Sequence, residues 1–346
     1  MNRNVALNII LGFAMAGCTL NPQYSRPPAP IPDQWPASPA YSEATDADGE
    51  LMPADLEWRE FVADARLVKV IEIALASNRD LRVAALNVER VRALYDIQRA
   101  QLYPIVNATG GAVRQKASGD FTSAGQSRIS KAYEVNLGAI AWEVDFFGRI
   151  RSLADQALEE FMATQQARHS TQILLVSSVA QAYFTLAASR EALSLSQRTF
   201  QTQKEAFDIV SRQYDVGLAT ELDLRRAQTP VEIARGDIAR YTQLAAEARN
   251  ALVLLIGSSI SEDLLSDELD QISPQTPVAA GLSSDVLLRR PDIVAAEHRL
   301  RGAYAQIGAA RAAFFPRISL TSTIGAASVE LSNLFASGNG AWTYGA

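Results

Sequence analysis

One long helix-forming stretch limits what this chain can fold into more than any other feature. Residues 149–214 contain neither glycine nor proline, and a single helix across them would be about 100 Å long. Large apolar residues recur in this stretch at a strict spacing of seven, at Val179, Leu186, Leu193, Phe200, Phe207 and Tyr214. Because a seven-residue repeat keeps one seam of a helix facing its partner, the spacing predicts a coiled-coil helix near residues 148–214.

A second long helix is predicted near residues 220–256. Its two seams are apolar at every position, namely Leu224, Val231, Ile238, Ala245 and Leu252, and Ala227, Ala234, Tyr241, Ala248 and Leu255. Gly217 can take the left-handed conformation that ends a helix, and Thr220 with Asp223 resembles a capping box. We therefore expect an antiparallel helical hairpin with a tight tip. Pro230 removes one helical hydrogen bond, so a kink is expected about one turn before it.

Alternating patterns predict short strands near residues 104–116 and 131–143, and a third strand that begins after Pro316. Strands with one apolar face suit either a transmembrane β-barrel or a soluble antiparallel sheet with one wet face. An export signal and the lack of an 18-residue apolar run favour the barrel. Because three strands cannot close a barrel alone, several chains would have to contribute strands.

The helix-to-strand segments form an internal repeat. Asp80–Pro104 and Asp292–Pro316 each span 25 residues, and at an offset of 212 they share identical residues that include both aspartates and both prolines. The first copy spans residues 56–284 and the second begins at 285. A further strand is expected near Trp342, and we expect the second repeat to be cut short at Ala346.

The N-terminus is typical of an exported protein. Residues 1–17 resemble a signal peptide, with Arg3 ahead of a short apolar stretch. Small residues precede Cys18, as in a lipobox, whose cysteine becomes the lipid-bearing first residue; an ordinary signal peptide with an incidental cysteine is the alternative. Residues 18–55 hold most of the prolines, so they cannot form a helix or a central strand. We expect an extended tether that runs from the lipid along the outside of the protein.

The composition excludes several classes of function. The formal net charge is −6, and this balance argues against a nucleic-acid binder. One cysteine and two histidines exclude an internal disulfide and a four-ligand Cys/His zinc site. His169 and His298 are expected on solvated helix faces. No frame of a catalytic nucleophile is present, so we expect no enzyme activity, no catalytic residue, no metal and no cofactor.

Several motifs are similar to those of TolC-like outer-membrane efflux proteins. They are Arg289–Ile293 with Ile307–Pro316, Trp142–Arg149, and the tip with Asp223–Gln228. Taken with Cys18 and the proline-rich leader, they resemble most the OprM-like lipoprotein branch of that family.

The resemblance implies a mainly α-helical fold with short β-strands. Long antiparallel coiled-coil helices would form a periplasmic tunnel, and four strands from each protomer of a homotrimer would form a shared transmembrane β-barrel. The protein would be a passive outer-membrane conduit for drugs or other small molecules, working with a periplasmic adaptor and an inner-membrane pump. A periplasmic coiled-coil adaptor or scaffold of an export system is the alternative function.

The resemblance also implies roles for individual residues. Val216, Gly217 and Leu218 match the tip motif that meets the adaptor, although Gly217 alone is also explained as a turn residue. Asp223 matches a tip acid that helps to hold the periplasmic end closed, and helix capping is its alternative role. Cys18 matches the lipidated cysteine of the lipoprotein branch.

Overall fold

The computed structural model describes residues 20–28, 57–118, 129–273 and 284–346, so the predicted signal peptide, Cys18 and most of the predicted tether lie outside the described residues. The helices are α1 (Trp58–Phe61), α2 (Ala65–Ser77), α3 (Arg79–Ala100), α4 (Arg149–Asp215), α5 (Glu221–Ile256) and α6 (Pro291–Ala312). The strands are β1 (Val106–Lys116), β2 (Ile129–Glu143), β3 (Ser319–Ser328) and β4 (Gly340–Gly345). Short 3-10 turns lie at Glu262–Leu264, Leu269–Gln271, Ser284–Arg289 and Leu331–Asn333.

Two helices of equal length carry the internal repeat. α3 and α6 each have 22 residues, and α6 begins and ends 212 positions after α3 (291 − 79 and 312 − 100). Each helix ends in the same kind of turn, in which Tyr103 N–H donates to the Ala100 carbonyl at 3.0 Å and Phe315 N–H donates to the Ala312 carbonyl at 3.1 Å. The repeat in the sequence is therefore a repeat of backbone structure.

The four strands form one antiparallel sheet in the order β1-β2-β3-β4. The strands that follow Pro104 and Pro316 thus lie in the same sheet, on either side of β2. The segment near Trp342 is β4, which pairs with β3. Because β1 and β2 precede the second repeat and β3 and β4 belong to it, the pairing of β2 with β3 joins the two copies.

The long helices α4 and α5 have 67 and 36 residues. An apolar core packs α2 against part of α4 and the end of α5; its fully buried members include Leu67, Ile71, Val179, Tyr183, Leu252 and Ile256. Two of these, Val179 and Leu252, are positions of the seven-residue pattern. α5 continues through Pro230, and the kink before Pro230 stays a prediction.

The expectation that the chain lacks an 18-residue apolar run was wrong for α4. The helix contains an 18-residue stretch with a mean hydropathy of 1.3, so by length and composition alone it passes the test for a membrane span. One such helix is weak evidence, because a core helix can pass the same test. α4 contributes Leu175, Val179, Tyr183 and Leu186 to the core, and packing against α2 and α5 explains part of this apolar character.

Contacts within the chain divide it into two compact units. One contains residues 20–28, Glu89–Thr164 and Ala295–Ala346, and therefore the whole sheet. The other contains residues 57–88 and the described part of Gln165–Val294, and therefore the core and the tip between α4 and α5. Each unit takes segments from both copies of the repeat, and the division into repeats at residues 56–284 and 285–346 stays a prediction.

Candidate functional site

The sheet has one apolar face and one polar face. One row across β1 to β4 consists of Ala108, Leu137, Ile324 and Trp342, and the adjacent row on the opposite face consists of Asn107, Gly138, Thr323 and Thr343. On the apolar face the side chains of Leu137, Ile324 and Trp342 are 51%, 65% and 68% exposed. Exposed apolar side chains on one face and polar ones on the other suit a sheet between hydrocarbon and water.

Three of the strands are long enough for that environment. β1, β2 and β3 have 11, 15 and 10 residues, and a strand that crosses a bilayer needs about 9 or more. Within the described residues, β1 and β4 are each paired on one side only. Because unpaired strand edges are not stable in hydrocarbon and single-chain barrels begin at about eight strands, this sheet needs further strands to close.

Two glycines lie at close contacts between β2 and β3. A Cβ atom at Gly138 would lie 2.1 Å from the Ser322 carbonyl oxygen, and one at Gly325 would lie 2.1 Å from the Val135 carbonyl oxygen. The obstructing atoms are backbone atoms, so they cannot move away as the end of a flexible side chain can. Only glycine fits these two positions without separating the strands.

The motif Trp142–Arg149 forms the corner between β2 and α4. Glu143 accepts two hydrogen bonds from the Arg149 guanidinium, at 2.9 and 2.7 Å. Asp145 accepts the amide hydrogens of Ile150 and Arg151 at 3.0 and 2.9 Å, which caps the start of α4. Phe147 stacks on Phe315, after α6, with ring centroids 4.5 Å apart. The sequence identified this motif only by its resemblance, and its role as a corner was not predicted.

The tip between α4 and α5 is a Schellman motif. Leu218 N–H donates to the Gln213 carbonyl at 2.8 Å and Gly217 N–H donates to the Tyr214 carbonyl at 2.9 Å, while Gly217 has φ +77°. Val216 and Leu218 are 70% and 81% exposed. The tip therefore presents two large apolar side chains from a turn that is fixed by backbone hydrogen bonds.

Asp223 forms a capping box with Thr220 at the start of α5. The Thr220 hydroxyl donates to Asp223 Oδ2 at 2.6 Å, the Thr220 amide donates to the same oxygen at 3.1 Å, and the Asp223 amide donates to Thr220 Oγ1 at 3.2 Å. The hydrogen bonds from the Thr220 side chain and amide lower the pKa of the Asp223 carboxyl. The Asp223 carboxylate therefore caps α5, which is the alternative role that the sequence predicted for it.

Alanine at Gly217 and at Gly236 should have opposite effects on stability. Both glycines have open space around the position of a Cβ atom, but only Gly217 has a positive φ. We expect Gly217→Ala to destabilise the protein by about 1 kcal/mol, because an L residue is strained there. Gly236→Ala, within α5, should stabilise it by up to about 1 kcal/mol through helix propensity. Thermal unfolding of both variants measures the two shifts, and shifts of the same sign would contradict this account.

The described N-terminal residues lie along α4 and α6. The Arg311 guanidinium donates to the Leu20 carbonyl at 3.3 Å, the Asn21 side chain contacts Ser152 and Asp155, and Tyr24 packs edge-on against Tyr304 with ring centroids 5.6 Å apart. Arg26 pairs with Glu297 on α6, and this hydrogen bond lowers the pKa of Glu297. Sequence reasoning predicted that the tether follows the outside of the protein but identified none of these partners.

The two histidines have different surroundings. His169 is exposed on α4, as predicted. His298 is not on a solvated face: its Nδ1 lies 2.6 Å from Glu159 Oε2, and its side chain is 20% exposed. The prediction for His298 was wrong because α6 packs this face against α4, as the 3.5 Å from a Cβ built at Gly302 to Glu159 Cβ also indicates.

The comparisons with known proteins agree on one family. The family model for outer membrane efflux protein matches residues 70–258 and 282–346. The chain is 45% identical to the toluene efflux pump outer membrane protein TtgC of Pseudomonas putida over 99% of its own length and 71% of that protein. It is 37% identical to the outer membrane protein OprJ of Pseudomonas aeruginosa, over 97% of this chain and 69% of that one.

Solved structures give the same result. The open state of the MtrE outer membrane channel of Neisseria gonorrhoeae is 39% identical and superposes with a TM-score of 0.81, over 95% of this chain and 71% of that one. A structure of CusC is 36% identical with a TM-score of 0.78, over 94% of this chain and 71% of that one. These matches confirm the predicted fold class and the predicted family resemblance.

Proposed function

The chain belongs to the outer membrane efflux protein family, and from that premise we propose that it is the outer-membrane channel component of a tripartite efflux system. It provides a passive path for drugs or other small molecules from the periplasm to the outside. The observation that carries this function is the exposed apolar face of the sheet. The family consists of efflux conduits rather than enzymes, and its members are outer-membrane components, which disfavours the adaptor alternative.

The functional channel in this proposal is a homotrimer. A sheet of four strands per chain, paired on one side only at β1 and at β4 within the described residues, is too small to close. Strands from three identical chains would give each β1 a neighbouring β4 and place every apolar row towards the lipid. The periplasmic partners would be an adaptor and, through it, an inner-membrane pump that supplies the energy.

The adaptor contact in this proposal lies at the tip. Val216 and Leu218 carry apolar surface on a turn that Gly217 shapes, and a contiguous exposed apolar patch is a typical contact surface for a partner protein. Asp223 has a proposed second role, in which it helps to keep the periplasmic end of the channel closed. Its capping hydrogen bonds hold the carboxylate near the tip whether or not it has that role.

Two negative charges added at the tip should weaken adaptor binding without preventing assembly of the channel. We expect Val216→Asp with Leu218→Asp to weaken adaptor binding at least about tenfold, equivalent to about 1.4 kcal/mol. Heat-resistant trimers of the full-length protein should persist, and efflux of a dye in cells should fall. Ile209→Asp is the matched control, since it adds a charge at an apolar position that is 53% exposed two turns before the tip. Unchanged adaptor binding by the double variant would reject the tip contact.

Lipid attachment at Cys18 is also part of the proposal. Its support is the sequence alone, in which the small residues Ala16 and Gly17 precede Cys18 as in a lipobox.

Mass spectrometry tests the lipid directly. We expect the N-terminal peptide of the mature protein to begin at Cys18 and to carry acyl chains, because the thiol forms a thioether with a diacylglyceryl group. Cys18→Ala should remove that mass, and globomycin should make the unprocessed precursor of the wild-type protein accumulate. An unmodified cysteine in the purified protein would rule out the anchor.

A further inference from the structure

The segment from Leu20 to Arg26 runs antiparallel to α6 and contacts it at four successive points. Leu20 meets Arg311, Asn21 meets Gly308, Tyr24 meets Tyr304 and Arg301, and Arg26 meets Glu297. From Arg311 to Glu297 the helix rises about 21 Å, which is close to the reach of the six-residue step from residue 20 to residue 26 in extended form. The segment therefore matches the helix in length as well as in chemistry.

Asn21 is the most specific of these contacts. The buried Ser152 hydroxyl donates to Asn21 Oδ1 at 2.7 Å, and Asn21 Nδ2 donates to Asp155 Oδ2 at 3.3 Å. Its side-chain oxygen and its backbone nitrogen both lie close to Gly308, where an added Cβ atom would be 1.8 Å from Asn21 Oδ1 and 2.9 Å from the Asn21 nitrogen. The missing side chain at Gly308 is thus a notch into which Asn21 fits.

Tyr24 and Arg26 extend the contact along the same face. Arg301 stacks over the Tyr24 ring at 5.2 Å from the centroid and also donates to Glu297 at 2.6 Å. Glu297 therefore receives a guanidinium from its own helix and one from the N-terminal segment. Its side chain is only 11% exposed, so the two arginines cover a carboxylate that is largely withdrawn from water.

The other repeat offers no such surface. At the offset of 212, α3 has Asp96 where α6 has Gly308, Glu89 for Arg301, Arg92 for Tyr304 and Ala85 for Glu297. On α3 the side chain of Asp96 would therefore fill the notch, and Glu89 would put an anion where Arg301 puts a cation over Tyr24. Ala85 would offer no acceptor for Arg26. Segment 20–28 consequently distinguishes one repeat helix from its copy.

We propose that the face formed by α4 and α6 is a selective binding site for the chain's own extended segment 20–28, and that Gly308 determines its register. The ligand class is an extended peptide with asparagine, tyrosine and arginine at the spacing of Asn21, Tyr24 and Arg26. Docking holds Leu20 at the C-terminal end of α6, where the Arg311 guanidinium donates to its carbonyl. The docking does not depend on the proposed lipid anchor at Cys18.

Proteolysis of the purified full-length protein tests the site. Chymotrypsin cleaves after Tyr24, and N-terminal sequencing identifies the product that begins at Ser25. We expect Gly308→Ala to accelerate this cleavage at least tenfold. Gly302→Ala is the matched control: it makes the same change on the same helix, where the added Cβ atom meets Glu159 Cβ at an ordinary 3.5 Å, and it should leave the rate unchanged. Equal rates for both variants would overturn the proposal.

A second pair of variants changes the N-terminal segment instead of α6, so its result does not depend on whether a substitution destabilises that helix. Arg26→Glu should accelerate cleavage severalfold, because it places a carboxylate against Glu297, while Arg26→Lys should keep nearly the wild-type rate. Equal rates for these two variants would also overturn the docking. All measurements are repeated with Cys18→Ala. The differences between variants should persist there, and their disappearance would overturn the claim that docking does not depend on residue 18. Mass spectrometry of the wild-type protein decides separately whether Cys18 carries a lipid.

Discussion

Replacing Gly325 with alanine should prevent the two repeats from sharing one sheet. The new Cβ atom would lie 2.1 Å from the Val135 carbonyl oxygen and 2.9 Å from the Asn136 Cα atom. Neither atom can move without displacing β2, so we expect a loss of about 3 kcal/mol or more, at the upper end of what overpacking usually costs. In the full-length protein the heat-resistant trimer should disappear from gels. The reason is that β4 is joined to β1 and β2 only through β3, so a separated β3 breaks the sheet.

The same sheet provides the control for this experiment. Gly110 is paired with Val135 in the neighbouring ladder, but a Cβ atom there meets nothing closer than 3.9 Å. Gly110→Ala should therefore leave the trimer intact. If Gly325→Ala assembled as well as Gly110→Ala, the close approach of β2 and β3 would not hold in the assembled protein.

Leu252→Ala should cause a large loss of stability in the helical core. The Leu252 side chain is fully buried between α2 and α4, and truncation of such a leucine costs about 2–5 kcal/mol through lost burial and the cavity that remains. We expect a lower midpoint of urea unfolding, followed by far-ultraviolet circular dichroism in detergent.

Leu254 separates burial from residue type in that measurement. It lies two positions further along α5 and is 81% exposed, so Leu254→Ala should change the stability of the isolated chain by less than about 0.5 kcal/mol. Equal losses of stability for the two variants would contradict the burial of Leu252 and the exposure of Leu254.

The features that sequence predicted well depend on short-range rules. The long helices follow from a seven-residue pattern within one element, and the turn at Gly217 with the cap at Thr220 follows from residues a few positions apart. The helix-to-strand repeat could be found because its two copies preserve Asp80 and Pro104 at a constant offset.

The features that sequence did not predict depend on contacts between distant residues. Asn21 and Ser152 are 131 positions apart, and neither residue type is unusual where it stands. The close contacts of Gly138 and Gly325 were not predicted, since they exist only in one register of β2 against β3. His298 was misplaced for the same reason, because its partner Glu159 belongs to another helix.

The order of strands in the sheet has a consequence for how the protein is made. β2 pairs with β3, but about 180 residues of α4, α5 and α6 and their connections are synthesised between Ala139 and its partner Ser322. Until then the β1–β2 hairpin has no third strand, and a lone hairpin is marginally stable in water. During export its apolar face is exposed without lipid or neighbour. We therefore expect newly secreted chains to depend on a periplasmic holdase, and depletion of such a factor should send them to proteolysis before any reaches the bilayer.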